Sequence, residues 1–166
     1  MSEDAPCKTL RSLAHDRELA AALGNMVIAW AYADKLLIGT QARILRTNLN
    51  LIMAGFYRIP TFESRVKFTR ALITEWESRD FDRPAIDKAV KKLSDLSSAR
   101  NHWIHGDWCA TQDPSPKIVI FNHRVDVESA DRRKPVKASD VLNHTEAVHR
   151  RCSALAQLID FESLPS

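Results

Sequence analysis

A short polar segment near the middle of the chain carries residue types that can cleave RNA without a metal ion. It spans residues 100–106 and has the sequence RNHWIHG. Near neutral pH an imidazole can give or take a proton, and a guanidinium can stabilise the negative charge that develops on a phosphate oxygen. Such a cleavage needs a base for the ribose 2′-hydroxyl, an acid for the leaving oxygen, and a cation. We therefore take Arg100, Asn101 and His105 as candidate catalytic residues.

The helix phase of this segment predicts that the arginine is buried. Leu96, Arg100 and Trp103 are four and three residues apart, which places them on one apolar stripe if the helix is continuous. A buried guanidinium keeps its proton, so it needs an anion or a polar pocket. Asn101 and His105 are four residues apart and share a neighbouring face. The sequence therefore predicts three polar groups that converge at the last turn, where the helix dipole also favours a charged imidazole.

The helix that carries these residues is predicted to run from Asp82 to about His105. Asp82 supplies a side-chain oxygen for the N-cap, and Pro84 stands in the first turn, where its missing N–H breaks no helical hydrogen bond. Gly106 suits the left-handed conformation that commonly closes a helix. We expect one continuous helix that ends just before this glycine.

Hydrophobic spacing predicts further helices on both sides of this one. They are expected over about residues 10–23, 26–49, 61–76 and 139–159. Thr61 supplies the N-cap of the third of them. In the last helix the apolar residues repeat every 3.5 residues or so, and we expect His144 and His149 at its surface or at the rim of its buried face.

Two short strand-like runs precede the last helix. They cover residues 108–111 and 118–121, and the Asp-Pro-Ser-Pro between them is typical of a turn. A third short strand is expected near residues 125–128. The sequence therefore predicts an all-α fold, a four- to five-helix bundle with a small β-hairpin inserted before the last helix.

Length and composition are those of a single globular domain. The 166 residues can bury a core without disulfides, and the 45% hydrophobic and 27% charged residues are ordinary fractions. The net charge of +3 permits contact with a polyanion without requiring it. These numbers exclude a disordered tail, a collagen-like repeat and a disulfide scaffold. We expect residues 1–8 to be a flexible N-terminus and residues 9–166 to form one helical domain.

The cysteines and the apolar runs indicate a cytoplasmic protein. The three cysteines are odd in number and far apart, so they are predicted to be free thiols in a reducing compartment. The longest apolar run, Met26–Ala33, is shorter than the roughly 20 residues of a membrane span. No apolar signal region follows the acidic N-terminus. We expect no membrane partner.

The R-N-x3-H pattern of residues 100–105 resembles the R-(N/H/D)-x3-H signature of HEPN domains, which are small all-α nucleotide-binding domains. Upstream, Trp30 followed by Asp34 is similar to the tryptophan-then-acid helix of many prokaryotic members. Phe62 followed by Arg65 is similar to the start of their next helix.

This resemblance implies a helical bundle that pairs as a homodimer, with the arginine and histidine of both protomers in one cleft. Many members are metal-independent endoribonucleases that leave cyclic phosphate ends and act as toxins or in defence. Carried over, Arg100 and His105 would be catalytic and Asn101 would orient the site. Asp34 could hold Arg100, or it could equally be an exposed acid. Asp107 stands where some toxins carry a tyrosine that receives a nucleotide, so we do not expect that control here.

Partners and substrate contacts follow from the same interpretation. RNA is the expected substrate, and an antitoxin or other regulatory protein is a further possible partner. Besides the catalytic residues, the expected substrate-binding residues are Asp34, Arg65, His102, Arg132 and Arg133, the last two in a basic loop.

Other interpretations of this segment stay open. The chain could be a non-catalytic nucleotide-binding, RNA-binding or dimerisation module on the same fold. Arg100 could instead form a structural ion pair while His105 caps the helix. A zinc site would use His102, His105 and Cys109, but the sequence offers no fourth ligand, and we expect no metal and no cofactor.

Overall fold

The computed structural model describes residues 7–77, 80–121 and 135–164, most of which are helical. A small antiparallel sheet with the strand order β1-β2-β3 completes the fold. The mainly helical fold expected from the hydrophobic spacing is confirmed. In chain order the elements are β1 (Cys7–Thr9), α1 (Arg17–Leu45), α2 (Leu49–Phe56), α3 (Phe62–Glu75), α4 (Arg83–Ser94), α5 (Ser97–His105), β2 (Asp107–Thr111), β3 (Ile118–Phe121), α6 (Ala138–Leu158) and a 3-10 turn (Phe161–Ser163).

The first helix replaces the two helices that were predicted before residue 50. Asp16 begins it, because its Oδ1 accepts a hydrogen bond from the Leu19 N–H at 2.9 Å. The buried stripe then continues from Leu19 to Ala42 without a break. Gly24 does not interrupt the helix, since this apolar stripe outweighs the small helix penalty of one glycine. Arg46 ends α1 in the left-handed region, with a φ of 51°.

The α2 helix was not predicted. Asn48 caps it, since its side chain accepts from the Leu51 N–H at 2.9 Å. The segment is nearly all apolar, so it shows no alternation of polar and apolar faces from which a separate helix could be recognised.

The predicted caps of the next two helices are confirmed. Thr61 Oγ1 accepts from the Ser64 N–H at 3.1 Å and begins α3. Asp82 Oδ1 accepts from the Ala85 N–H at 3.0 Å and begins α4, with a proline in the first turn. These starts were predictable because a cap is a local hydrogen bond between residues three positions apart.

The continuous helix predicted from Asp82 to His105 is wrong. It is two helices, α4 and α5, separated by a turn at Asp95 and Leu96. The Leu96 N–H bonds to the Leu93 carbonyl three residues back, at 3.2 Å, which tightens the last turn of α4 and ends the helical register.

The predicted hairpin is confirmed, but the strand beside it comes from the N-terminus. β2 pairs antiparallel with β3, and Cys109 is opposite Val119. β1 pairs with the other edge of β2, so Cys7 and Lys8 belong to the sheet rather than to the flexible segment expected over residues 1–8. The third strand expected near residues 125–128 lies outside the described residues.

The chain divides into two compact units, and the expectation of one helical domain over residues 9–166 stays a prediction. The first contains residues 1–26 and 98–144, and the second contains residues 27–97 and 145–166. The three strands belong to the first unit. The pair of helices α3 and α4 belongs to the second unit, with Ile73, Val90 and other apolar residues in its core.

The α1 helix is longer than its uninterrupted apolar run suggested. By length and composition alone it could cross a membrane, a criterion that the core helices of soluble proteins also meet. Within the protein, 44% of its tested 18-residue window is buried.

Candidate functional site

The candidate catalytic residues lie on α5 and in the turn that leads into β2. We call residues 100–108 the α5 corner, and all of it belongs to the first unit. No residue of α5 is buried, so the helix lies at the surface of the protein.

Arg100 is half-buried, and the prediction that it is buried is corrected. That prediction assumed one continuous helix packed on the core, whereas α4 ends at Ser94 and no residue of α5 is buried. Its Nη1 donates to Asn101 Oδ1 at 2.9 Å. Over residues 7–77, 80–121 and 135–164, no carboxylate pairs with Arg100, so the alternative of a structural ion pair finds no partner there.

His105 and Asn101 are both exposed. With 3.6 residues per turn, Arg100 and His105 point about 140° apart around α5 and are separated by about 7.5 Å along its axis. Asn101 lies between the two in angle. The three polar groups therefore converge less than the sequence predicted, and the bond from Arg100 to Asn101 draws the cation towards the face that carries His105.

The end of the α5 corner is held by a tryptophan. Trp108 Nε1 donates to the backbone carbonyl of Trp103 at 3.0 Å, which satisfies one of the carbonyls left open at a helix C-terminus. Trp108 in turn accepts a backbone hydrogen bond from the Leu10 N–H at 2.7 Å. The corner is thus attached to the sheet.

Gly106 is required for a close approach rather than for a left-handed turn. Its φ is not positive, so the left-handed conformation expected of it is wrong, although the helix ends at His105 as predicted. A Cβ at this position would lie 2.1 Å from Ile120 Cγ2 and 2.6 Å from the His102 carbonyl oxygen. Only a glycine lets the corner pack this closely on β3.

The ring of Trp103 contacts a histidine that the sequence interpretation placed at the surface. The centroids of the Trp103 and His144 rings are 4.9 Å apart and the planes are nearly perpendicular, at 87°. His144 is only 9% exposed, and this burial lowers its pKa from the ordinary 6.5. Its spacing from Val141 and Val148, which are both fully buried, is the signal that could have predicted this.

The predicted substrate-binding residues Asp34 and Arg65 lie in the second unit and bind each other. Arg65 Nη1 donates to Asp34 Oδ2 at 3.0 Å, and the two side chains are only 16% and 20% exposed. The partner that the structure shows for Asp34 is therefore Arg65, and Asp34 is not an exposed acid.

Arg65 makes three further contacts. Its Nε donates to the Ile59 carbonyl at 3.0 Å, and its guanidinium carbon lies 4.9 Å from the Phe56 ring centroid and 5.4 Å from that of Tyr57. We call Asp34, Phe56, Tyr57, Ile59 and Arg65 the Arg65 cluster. Because the guanidinium binds a carboxylate, a carbonyl and two rings, it has a structural role there.

One turn away, the other two residues that carried the upstream resemblance also meet. The rings of Trp30 and Phe62 are 4.9 Å apart at 87°. The helices α1 and α3 are therefore joined by an aromatic pair and by the ion pair between Asp34 and Arg65.

Of the remaining predicted substrate contacts, His102 lies among the described residues. His102 is exposed and lies about 200° around α5 from Arg100. Arg132 and Arg133 lie outside the described residues. In the part of the chain that the structure describes, no three His, Cys, Asp or Glu side chains are grouped as metal ligands.

Comparison of the chain with protein-family models, with curated proteins and with solved structures gives no match.

Proposed function

We propose that the chain is a metal-independent endoribonuclease of HEPN type, toxin-like or defence-like, that cleaves RNA with Arg100 and His105. One observation carries the proposal. The guanidinium of Arg100 is half-buried and bonds to Asn101, with no carboxylate among the residues described, on a helix whose end exposes His105.

Arg100 would bind the scissile phosphate. A guanidinium has five N–H donors, and one of the five donates to Asn101. No carboxylate among the described residues pairs with Arg100, so its other donors could bind the equatorial oxygens of the phosphorus during attack, when the negative charge of these oxygens increases. Asn101 would act as a positioning residue that limits the orientations of the cation.

His105 would transfer the proton. As a base, its imidazole nitrogen takes the proton of a ribose 2′-hydroxyl, and the 2′-oxygen attacks the adjacent phosphorus. The bond from phosphorus to the 5′-oxygen of the next nucleotide breaks, and that oxygen takes a proton from an acid. The products are a 2′,3′-cyclic phosphate and a 5′-hydroxyl.

A second copy of the chain would complete the site. One imidazole cannot act as base and acid in the same step, and Arg100 and His105 of one chain point about 140° apart. Two copies that face each other would supply both protons and both cations. We expect light scattering to give about twice the 18.8 kDa mass of one chain. A strict monomer that cleaves RNA would contradict the shared site.

The HEPN-like bundle is part of the same proposal. The pairs Trp30–Phe62 and Asp34–Arg65, which carry the upstream resemblance, both join α1 to α3 and support it. We further propose that His102, Arg132 and Arg133 contact RNA, that the protein acts in the cytoplasm, and that an antitoxin or other regulatory partner controls it.

The direct test is RNA cleavage by the purified protein in EDTA. We expect cyclic phosphate ends, and we expect His105→Ala to lower the rate by about 100-fold or more, since a positioned acid or base contributes about 10²–10⁴-fold. The matched control is His149→Ala, an exposed histidine on α6. Equal cleavage by the wild type and His105→Ala would overturn the proposal.

A non-catalytic RNA-binding module is the second candidate. Among the described residues nothing accepts a hydrogen bond from the His105 ring, whereas a catalytic imidazole is usually oriented by such an acceptor. This candidate predicts that the protein binds RNA without cleaving it and that Arg100→Ala weakens this binding.

A further inference from the structure

The α6 helix contains a buried histidine that the proposed chemistry does not use. His144 lies on the same face as Val141 and Val148 and is 9% exposed. In contrast, His149 on the same helix is exposed. Burial lowers the pKa of His144 from its ordinary value, because it disfavours the charged form of the ring.

The imidazole ring of His144 contacts the indole ring of Trp103 in the α5 corner. The two rings lie edge-to-face, with the centroids 4.9 Å apart. Such perpendicular contacts are favourable because the positive edge of one ring meets the negative face of the other. Trp103 stands between Arg100 and His105 in sequence, and about 60° around the helix from Arg100 on the side away from Asn101. The contact thus supports α5 from behind the proposed catalytic face.

The other two supports of the corner act on its backbone. The bond from Trp108 Nε1 goes to the Trp103 backbone, and Gly106 packs on Ile120 at the end of the helix. Neither of them holds the Trp103 ring. Rotation of α5 about its own axis would change the directions of Arg100 and His105, and this rotation is what the His144 ring opposes.

We propose that His144 is a positioning residue for the α5 corner, whose ring against Trp103 fixes the rotation of α5 and hence the directions of Arg100 and His105. Its effect on RNA cleavage rests on the ribonuclease function proposed above, whereas its effect on the order of the corner does not. A displacement of catalytic groups by about 1 Å can lower a rate by about 100-fold, so the support of one ring is sufficient to matter.

The test uses two substitutions of the same residue. His144→Ala removes the ring, and His144→Phe keeps a ring that cannot carry a proton. We expect His144→Ala to lower kcat for RNA cleavage by about tenfold, with KM changed less than about twofold, because His144 supports the corner rather than contacting RNA. His144→Phe should recover kcat to within about twofold of the wild type, and His149→Ala should not change it.

A second measurement keeps the proposal independent of cleavage. Amide hydrogen exchange of the peptide that covers residues 97–108 should become faster in His144→Ala than in the wild type, His144→Phe or His149→Ala. If the wild type does not cleave RNA while this pattern is found, the ribonuclease function fails and the positioning role stands. Unchanged exchange and unchanged kcat in His144→Ala would overturn the positioning role, as would a His144→Phe variant as impaired as His144→Ala.

Discussion

Two arginines of this protein, each in its own compact unit, have opposite surroundings. Arg65 binds Asp34 and the Ile59 carbonyl and lies against two aromatic rings, and its side chain is 16% exposed. Arg100 is half-buried, and its hydrogen bond within the described residues goes to the neighbouring Asn101. The guanidinium is the same in both places, and what differs is how many of its donors the protein itself uses.

This difference separates an arginine that stabilises the fold from one that can bind a substrate. When a guanidinium is bound to a carboxylate, its positive charge is already compensated and it attracts a phosphate less strongly. Removal of that arginine would leave the carboxylate without its cation. An arginine whose hydrogen bond goes to a neutral amide has no carboxylate there to compensate its positive charge. The sequence interpretation treated both as functional residues, and the structure distinguishes them by their partners.

The largest expected effect on stability is at Arg65. Arg65→Ala leaves Asp34 partly buried without its cation, so we expect a loss of about 2–3 kcal/mol in the free energy of unfolding, measured by urea denaturation. The control is Lys67→Ala, two residues further along α3, whose ion pair with Glu63 is exposed. It should not change stability measurably. If both variants are equally stable, the Arg65 cluster is not structural.

The caps, the hairpin and the predominance of helix were predictable because they depend on residues close together in sequence. Thr61 and Asp82 are examples of such local signals. The partner of Asp34 and the position of β1 were not predictable, because each depends on pairing between distant segments. The burial of Arg100 was predicted wrongly because no residue of α5 is buried, so even the apolar side of this helix lies near the surface.

A smaller loss of stability is expected from a substitution of Gly106, in the α5 corner that carries Arg100. Gly106→Ala places a Cβ against Ile120 and the His102 carbonyl, neither of which is the end of a flexible chain. We expect a loss of about 2 kcal/mol by overpacking, together with reduced RNA cleavage.

Gly24→Ala is the matched control for Gly106→Ala. A Cβ at Gly24 meets nothing within 4 Å inside α1, so this variant should gain about 0.5–1 kcal/mol in the urea measurement. A Gly106→Ala variant that is also more stable than the wild type would show that the corner does not need the close approach.

The smallest expected effect is the pH dependence contributed by His144. Burial lowers its folded-state pKa below the ordinary 6.5, so the unfolded chain binds the proton more readily than the folded protein. This contribution lowers stability as the pH falls below about 6.5, and above that pH it is absent. His144→Phe should therefore show a smaller fall in Tm from pH 7 to pH 5 than the wild type. Equal slopes would mean that the imidazole reaches solvent.

On the function proposed above, the guanidinium of Arg100 pairs with the phosphate of a substrate, whereas the guanidinium of Arg65 pairs with Asp34 within the fold. The most direct test is the kcat/KM for RNA cleavage in EDTA by Arg100→Ala, with the urea midpoint measured on the same sample. We predict a loss of about 100-fold or more in kcat/KM with an unchanged midpoint. Cleavage at the wild-type rate, or a loss of stability as large as that of Arg65→Ala, would contradict a substrate-binding role of Arg100.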